Sequence, residues 1–219
     1  MSHSPTLTPS SVLPQEKGGR ARKRAATRER LFEAALKDFR EYGFAGAQID
    51  RIAKSAGVVR GTFYFHFPSK DDVLIELARR INGRIALRIA VLGDSSTSLH
   101  DLLRRVNDAI LDEHTRIGEA GLQADLLSLY MRRPLDVGIP DDFNSPTLTE
   151  VLVSHFELIE SRGGAKMSMD KEQVAVVFMT SLFGIYVRIP PGKERRIACE
   201  ALIDLFVGGI QSGTLAESH

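Results

Sequence analysis

The sequence predicts an all-α fold of about nine helices, three of them in a small N-terminal unit. Apolar residues recur at i, i+3, i+4 and i+7 along most of the 219 residues, and no period-2 alternation reaches the length of a strand. Gly and Pro fall between the periodic stretches, where helices stop. Charge divides the same chain in two: residues 1–70 hold 13 Lys/Arg against 6 Asp/Glu (+7), and residues 71–219 hold 16 against 22 (−6). The expected organisation is a disordered basic arm over 1–23, a small domain over 24–70 and a larger helical domain over 71–219.

Met1 to Gly19 is rich in Ser, Thr and Pro and poor in large apolar residues, a composition that cannot bury a core. Arg20, Arg22, Lys23 and Arg24 follow as a basic cluster with two open readings: a solvated charge run, or an arm touching phosphates or a minor groove. The first helix is expected from about Ala25 to Glu41, with Leu31, Ala35, Phe39 and Tyr42 on one stripe and Gly43 as its stop. Ile49, Ile52, Ala53 and Ala56 mark one face of a second, short helix, and Gly57 stands where a left-handed turn is cheapest. A third short helix fits Arg60 to His66, with Val59, Phe63 and Phe67 on its inner side. Two short helices joined by a tight Gly-containing turn describe a helix-turn-helix, whose second helix enters the DNA major groove.

Six further helices follow. Ser69 with Asp72 reads as the cap of a long fourth helix reaching about Val91, before Gly93 to Ser96. Ser98 with Asp101 opens a helix to about Arg116, and another spans about Glu119 to Arg133 before Pro134. Leu135 to Pro146 reads as a loop. The last three helices run from about Thr147 to Ser161, from the Asp170–Gln173 cap to Arg188, and from Lys193 to Val207 before Gly208-Gly209.

The stretch from Gly43 to Leu74, GFAGAQIDRIAKSAGVVRGTFYFHFPSKDDVL, resembles the DNA-binding domain of the tetracycline-repressor (TetR) family. Gly43-Phe44, Ile52-Ala53, Ala56-Gly57-Val58, Gly61-Thr62, Tyr64, His66-Phe67 and Ser69-Lys70 carry the match, and Thr27 to Gly43 resembles that family's first helix. The resemblance implies nine helices, a symmetric dimer through a four-helix bundle, and phosphate contacts at Tyr64, His66 and Lys70. Two positions depart from the family. Ala47-Gln48 stand where Thr or Ser is usual, and Val59 where Ser is usual, which removes two side-chain oxygens that could cap helices or touch phosphate.

The candidate DNA contacts are Gln48, Arg60, Gly61, Thr62, Tyr64, Phe65, His66 and Lys70. Arg60 has the fork to pair with guanine, Gly61 lets backbone approach DNA, Thr62 and Tyr64 carry hydroxyls, and Phe65 can lie against a thymine methyl. In the larger domain His114, Arg116, Tyr130, Phe156, Met179, Phe183 and Tyr186 are candidates for lining a ligand pocket. The eighth and ninth helices carry wide apolar arcs. Phe178, Leu182, Ile185, Leu202, Leu205 and Phe206 are the candidate dimer interface.

Composition bounds the rest. A single Cys, Cys199, allows no intrachain disulfide or Cys-based metal site, and no His pair has helical ligand spacing. No apolar run is long enough to span a membrane, no signal peptide is visible, and the cytoplasm is the expected compartment. No nucleophile motif or Gly-rich phosphate loop occurs, so neither a cofactor nor an enzymatic activity is expected. The expected protein is a homodimeric regulator, a repressor released from a double-stranded palindromic operator by a small, largely apolar effector. Two alternatives are an all-helical enzyme, and a DNA-binding protein whose C-terminal domain is an interaction module without ligand.

Overall fold

The computed structural model describes residues 16–91, 98–117, 120–132, 147–167 and 169–216. Among them are nine helices and no strand: α1 (Glu16–Gly46), α2 (Ile49–Ser55), α3 (Arg60–His66), α4 (Lys70–Ala90), α5 (Leu99–Ile117), α6 (Ala120–Arg132), α7 (Leu148–Ser161), α8 (Lys171–Arg188) and α9 (Lys193–Ala216). The chain divides into two compact units, Met1–Ser69 and Lys70–His219. The expected loop from Leu135 to Pro146 and the expected disorder before residue 16 lie outside the described residues.

In the first unit α1 packs on α2, and α2 on α3. Leu31, Phe32, Ala35 and Phe39 of α1 meet Ile52, Ala53, Phe63 and Phe67, all at most 2% exposed. These side chains occupy one stripe of each helix, so burying them fixes which way every other residue faces. Gly43 breaks α1 with φ 70° and ψ 162°, a conformation that costs a side-chain-bearing residue and that Gly adopts freely.

Two boundaries and one facing differ from the sequence reading. α1 begins at Glu16, so Arg20 to Arg24 lie on helix rather than on an irregular arm. The segment GRARKRAA consists mainly of good helix formers, and the turns already nucleated from Leu31 onward let helix propagate backward through it. α9 continues through Gly208-Gly209 to Ala216; neither Gly has positive φ, so they weaken the helix without ending it. Val59 is 74% exposed rather than on the inner side of α3, because it is the extended N-cap residue.

In the second unit α4 packs on α5 and α7, α8 on α7, and α9 on α5 and α8. α4 contributes Leu74, Leu77, Ile81, Ile85 and Ile89 to the core, and α5 contributes Leu102, Leu103, Val106 and Ile110. Helix starts follow the caps read from sequence: Ser98 Oγ accepts from the Asp101 amide at 3.1 Å, and Asp170 from the Gln173 amide at 3.1 Å. Thr147 and Glu150 form a reciprocal capping box. Each such cap removes an orphan amide worth about 1 kcal/mol. No described helix is long and apolar enough to cross a membrane.

Candidate nucleic-acid interface

The turn between α2 and α3 has a defined hydrogen-bond pattern. The Val58 amide donates to the Ala53 carbonyl at 3.0 Å and the Gly57 amide to the Lys54 carbonyl at 3.1 Å. With Gly57 at φ 68°, this is a Schellman motif. It satisfies carbonyls at the end of α2 and sets the angle at which α3 leaves. Both short helices start without a side-chain cap, at Gln48 and Val59. At α2 the loss is offset from elsewhere: the Gln48 amide donates to Asp38 Oδ2 of α1 at 3.0 Å.

Asp38 is 5% exposed and is held by the Arg51 guanidinium through both of its oxygens. Arg51 also donates to the Gly46 carbonyl at 3.1 Å and lies 3.7 Å from the centre of the Tyr42 ring. One arginine thereby ties the end of α1 to the start of α2, and it covers Tyr42, which is 47% exposed instead of buried on the α1 stripe. The sequence reading missed this pair. Its only sequence signal is an acid, Asp38, set between the core residues Leu36 and Phe39.

On α3 the apolar face holds Phe63 and Phe67, with ring centres 5.9 Å apart. Arg60, Gly61, Tyr64 and Phe65 of α3 are exposed to solvent, with Phe65 64% exposed on the far side of the helix. Thr62 is partly exposed, as is Lys70, and Gln48 is exposed beside α2. Arg60 is not idle: it pairs with Asp50 of α2 at 2.7 Å and donates to the Tyr64 hydroxyl at 3.2 Å. Space around Gly61 is open where a side chain would begin.

His66 is a correction. It is 8% exposed, because it falls on the same side of α3 as Phe63 and Phe67. Burial, then Arg24 and Arg28, lower its pKa, and its ring is turned into the domain rather than toward solvent. Its backbone carbonyl accepts from Arg28 Nη1 at 2.5 Å. Lys70 is the first residue of α4 and belongs to the second unit.

A family model for bacterial regulatory proteins of the tetR family matches residues 31–77. The uncharacterized HTH-type transcriptional regulator YdgC of Bacillus subtilis is 26% identical over 190 residues, covering 78% of this chain and 96% of its own. SrpR of Pseudomonas putida, another HTH-type regulator, is 48% identical over 58 residues, 25% of this chain and 27% of its own. Over residues 31–77 the chain is similar to the regulators of the TetR family. It is a DNA-binding transcriptional regulator. Among solved structures, the TetR-family repressor FadR of Thermus thermophilus, in complex with lauroyl-CoA, shares the fold at 22% identity and a TM-score of 0.67, covering 83% of this chain and 94% of that one.

The second unit buries only part of the candidate ligand set. His114 and Tyr186 are buried with ring centres 4.9 Å apart, and Phe156, Met179 and Phe183 are buried as well. Arg116 is a correction: its side chain is 68% exposed and reaches Glu113 at 3.7 Å, since it lies on the solvent side of α5. The Tyr130 side chain lies outside the described residues. A described cavity of about 700 Å³ opens instead between the first turns of α7 and α8, beside Thr147, Glu150, Glu157, Asp170 and Lys171. It includes none of the candidate residues.

His114 makes the unit sensitive to acid. Burial, with the Arg195 charge, lowers its pKa from 6.5 to about 4. The unfolded chain therefore takes up this proton near pH 6.5 while the folded one resists until about pH 4. The contribution is intact above pH 6.5 and is lost as pH falls toward 4, by up to about 3 kcal/mol. Urea unfolding is expected to show lower stability at pH 5 than at pH 7.5. His114→Phe, which keeps a ring against Tyr186, should flatten that difference; an equal difference in both proteins would assign it to other groups.

The dimer candidates divide too. Phe178 and Leu182 are 0% exposed and belong to the core of their own subunit; Phe178 packs edge-on against Phe206 at 5.3 Å. Ile185, Leu202 and Phe206 are partly exposed, and Leu205 is 76% exposed. The outer faces of α8 and α9 carry Val176, Val177 and Val187, and Ile197, Ala201 and Leu205, all exposed. An α-helix buries one face only, so a sequence arc that is apolar all round divides into a core side and an outer side.

Proposed function

We propose that the protein acts in the cytoplasm as a homodimeric repressor. Two copies of α3 enter successive major grooves of a near-palindromic operator, and a small, largely apolar effector taken up by the second unit releases the DNA. The observation that carries the reading is α3 itself. It offers Arg60, Tyr64 and Phe65 to solvent from a base held by the Phe63–Phe67 core and the Arg51–Asp38 clasp. Gln48, Gly61, Thr62 and Lys70 complete the proposed contact set, and His66 supports α3 from within.

The exposed apolar faces of α8 and α9 support a symmetric seam between copies, in which the same patch is used twice. The lauroyl-CoA of FadR, a ligand with a long acyl chain, supports an apolar effector class. Lys70 directly follows Ser69, so α4 is the covalent link between the units. Its 21 residues span about 30 Å. An effector that favours a spacing of the two α3 helices other than the ~34–36 Å groove repeat competes with DNA without touching it. The coupling is reciprocal, and a hundredfold loss of DNA affinity requires about 2.7 kcal/mol of differential binding.

The experiment is selection of a preferred duplex by the full-length protein, followed by titrations against it and against random DNA at several salt concentrations. Affinity is expected to fall linearly with log salt, at about −0.9 per phosphate neutralised. Arg60→Ala is expected to cost roughly 1–3 kcal/mol on the selected duplex and to relax one base position; Lys70→Ala should weaken both duplexes alike. Arg60 must leave Asp50 to reach a base, so Asp50→Ala should tighten binding or leave it unchanged, not weaken it. Salt-independent binding, or equal losses for both variants on both duplexes, would refute the assignment.

A further inference from the structure

The helical state of Arg20 to Arg24 decides how this segment can meet DNA. Arg20, Arg24 and Arg28 are four residues apart on α1 and form one row with about 6 Å between successive turns. Two members of the row are docked on the end of α3. Arg28 donates to the His66 carbonyl at 2.5 Å and lies 4.2 Å from the centre of the Phe67 ring. Arg24 lies 4.9 Å from the centre of the Phe65 ring. Arg20 is next in register, one turn beyond Arg24. It, Arg22, Lys23 and Arg24 are all exposed, and none of the four has an acidic partner among the described residues.

We propose that the start of α1, with Arg20, Arg22, Lys23 and Arg24, is a second DNA-binding surface that grips the phosphate backbone flanking the groove entered by α3, with Arg24 on Phe65 as its joint to the recognition helix. The partner follows from charge and continuity. Four cations stand together without an acidic partner among the described side chains, and they are joined through Arg24 and Arg28 to the helix that presents Arg60 and Tyr64. A guanidinium stacked on a ring keeps its N–H edge outward, and that edge fits a phosphate bidentately. This also accounts for Phe65, a large apolar side chain left 64% exposed, as the platform for Arg24. A helix is about 10–12 Å across and the minor groove about 6 Å wide, so a row carried on helix rides on phosphates and does not thread the groove.

The inference rests on the DNA-binding reading above, and the test separates the two. Full-length wild type, the triple variant Arg20→Ala/Arg22→Ala/Lys23→Ala and the single variant Phe65→Leu are titrated by fluorescence anisotropy. The duplexes are the selected operator in a long form, the same operator trimmed to its core, and random DNA, at 50–200 mM salt. The triple variant removes three cations from each of the two subunits and is expected to lose about 5 from the steepness of the log–log salt plot, near 0.9 per phosphate released. It should weaken by the same factor on operator and random DNA. Trimming the flanks should weaken wild type and leave the triple variant unaffected. Phe65→Leu, which removes the platform and no charge, should shift affinity in the same direction by a smaller factor. A triple variant with the wild-type slope, or with wild-type sensitivity to trimming, overturns the proposal. So does competition at the flanks by a minor-groove ligand, which would put the segment in the groove. A wild-type protein that binds no duplex at all would instead defeat the operator reading.

Discussion

Leu182→Glu is expected to unfold the second unit, whereas Leu205→Glu is expected to leave it folded and separate the subunits. Leu182 is 0% exposed on the core side of α8, on the same side as Phe178 and Met179. A glutamate there either ionises without a partner or takes up a proton to stay neutral, at several kcal/mol in either case. The lost leucine packing adds about 2–5 kcal/mol. Against a typical total stability of about 5–15 kcal/mol, little remains. Leu205 is 76% exposed, so a charge there stays in water in the isolated subunit and costs almost nothing. In a two-fold dimer through α8 and α9 it is buried twice, opposite its own copy. Circular dichroism should show loss of helix for Leu182→Glu only, and light scattering a monomer for Leu205→Glu. A folded dimer from Leu205→Glu would move the interface away from α9.

Phe63→Ala is expected to abolish DNA binding although Phe63 itself faces the core and not DNA. Phe63 is 0% exposed and packs on Phe67 and edge-on against Tyr64. Removing a buried phenyl ring costs about 3–5 kcal/mol. The first unit is small, and small domains bury proportionally less of their surface, so a loss of this size is a large share of its stability. Hydrogen exchange should show protection lost in α2 and α3 and kept in α5 and α8. Arg60→Ala gives the contrast: specificity on DNA falls and exchange protection in α2 and α3 is retained. Equal protection in Phe63→Ala and wild type would mean that α3 is held mainly by Arg28, Arg51 and the turn.

The positions and types of all nine helices were legible, because each is marked by local chemistry. Gly57 supplies a positive φ, Ser98 and Asp170 supply caps, and the periodic apolar residues supply a face. The exposure of Gly61 and Phe65 was legible for the same reason: once Phe63 and Phe67 are buried, the far side of α3 faces water. Where the reading failed, the local signal was ambiguous. Gly208-Gly209 weakens a helix without stopping it, and a basic segment can be helix or coil, as Arg20 to Arg24 illustrate.

By itself the sequence determined an all-helical chain and a basic N-terminal third whose helix-turn-helix resembles that of the TetR family, since those rest on local composition and spacing. Only the tertiary structure decided which side of an apolar helix is core and which is outer. Phe178 and Leu182 went inward and Leu205 outward, although all three satisfy the same helical period. Tertiary structure also decided the long-range pairs. Asp38 meets Arg51 and the Gln48 amide, Arg24 meets Phe65, and His114 meets Tyr186. The physical reason is that periodicity reports the geometry of one helix. Burial and charge pairing are properties of two or more helices brought together by packing, and no spacing along the chain records which neighbours they will be.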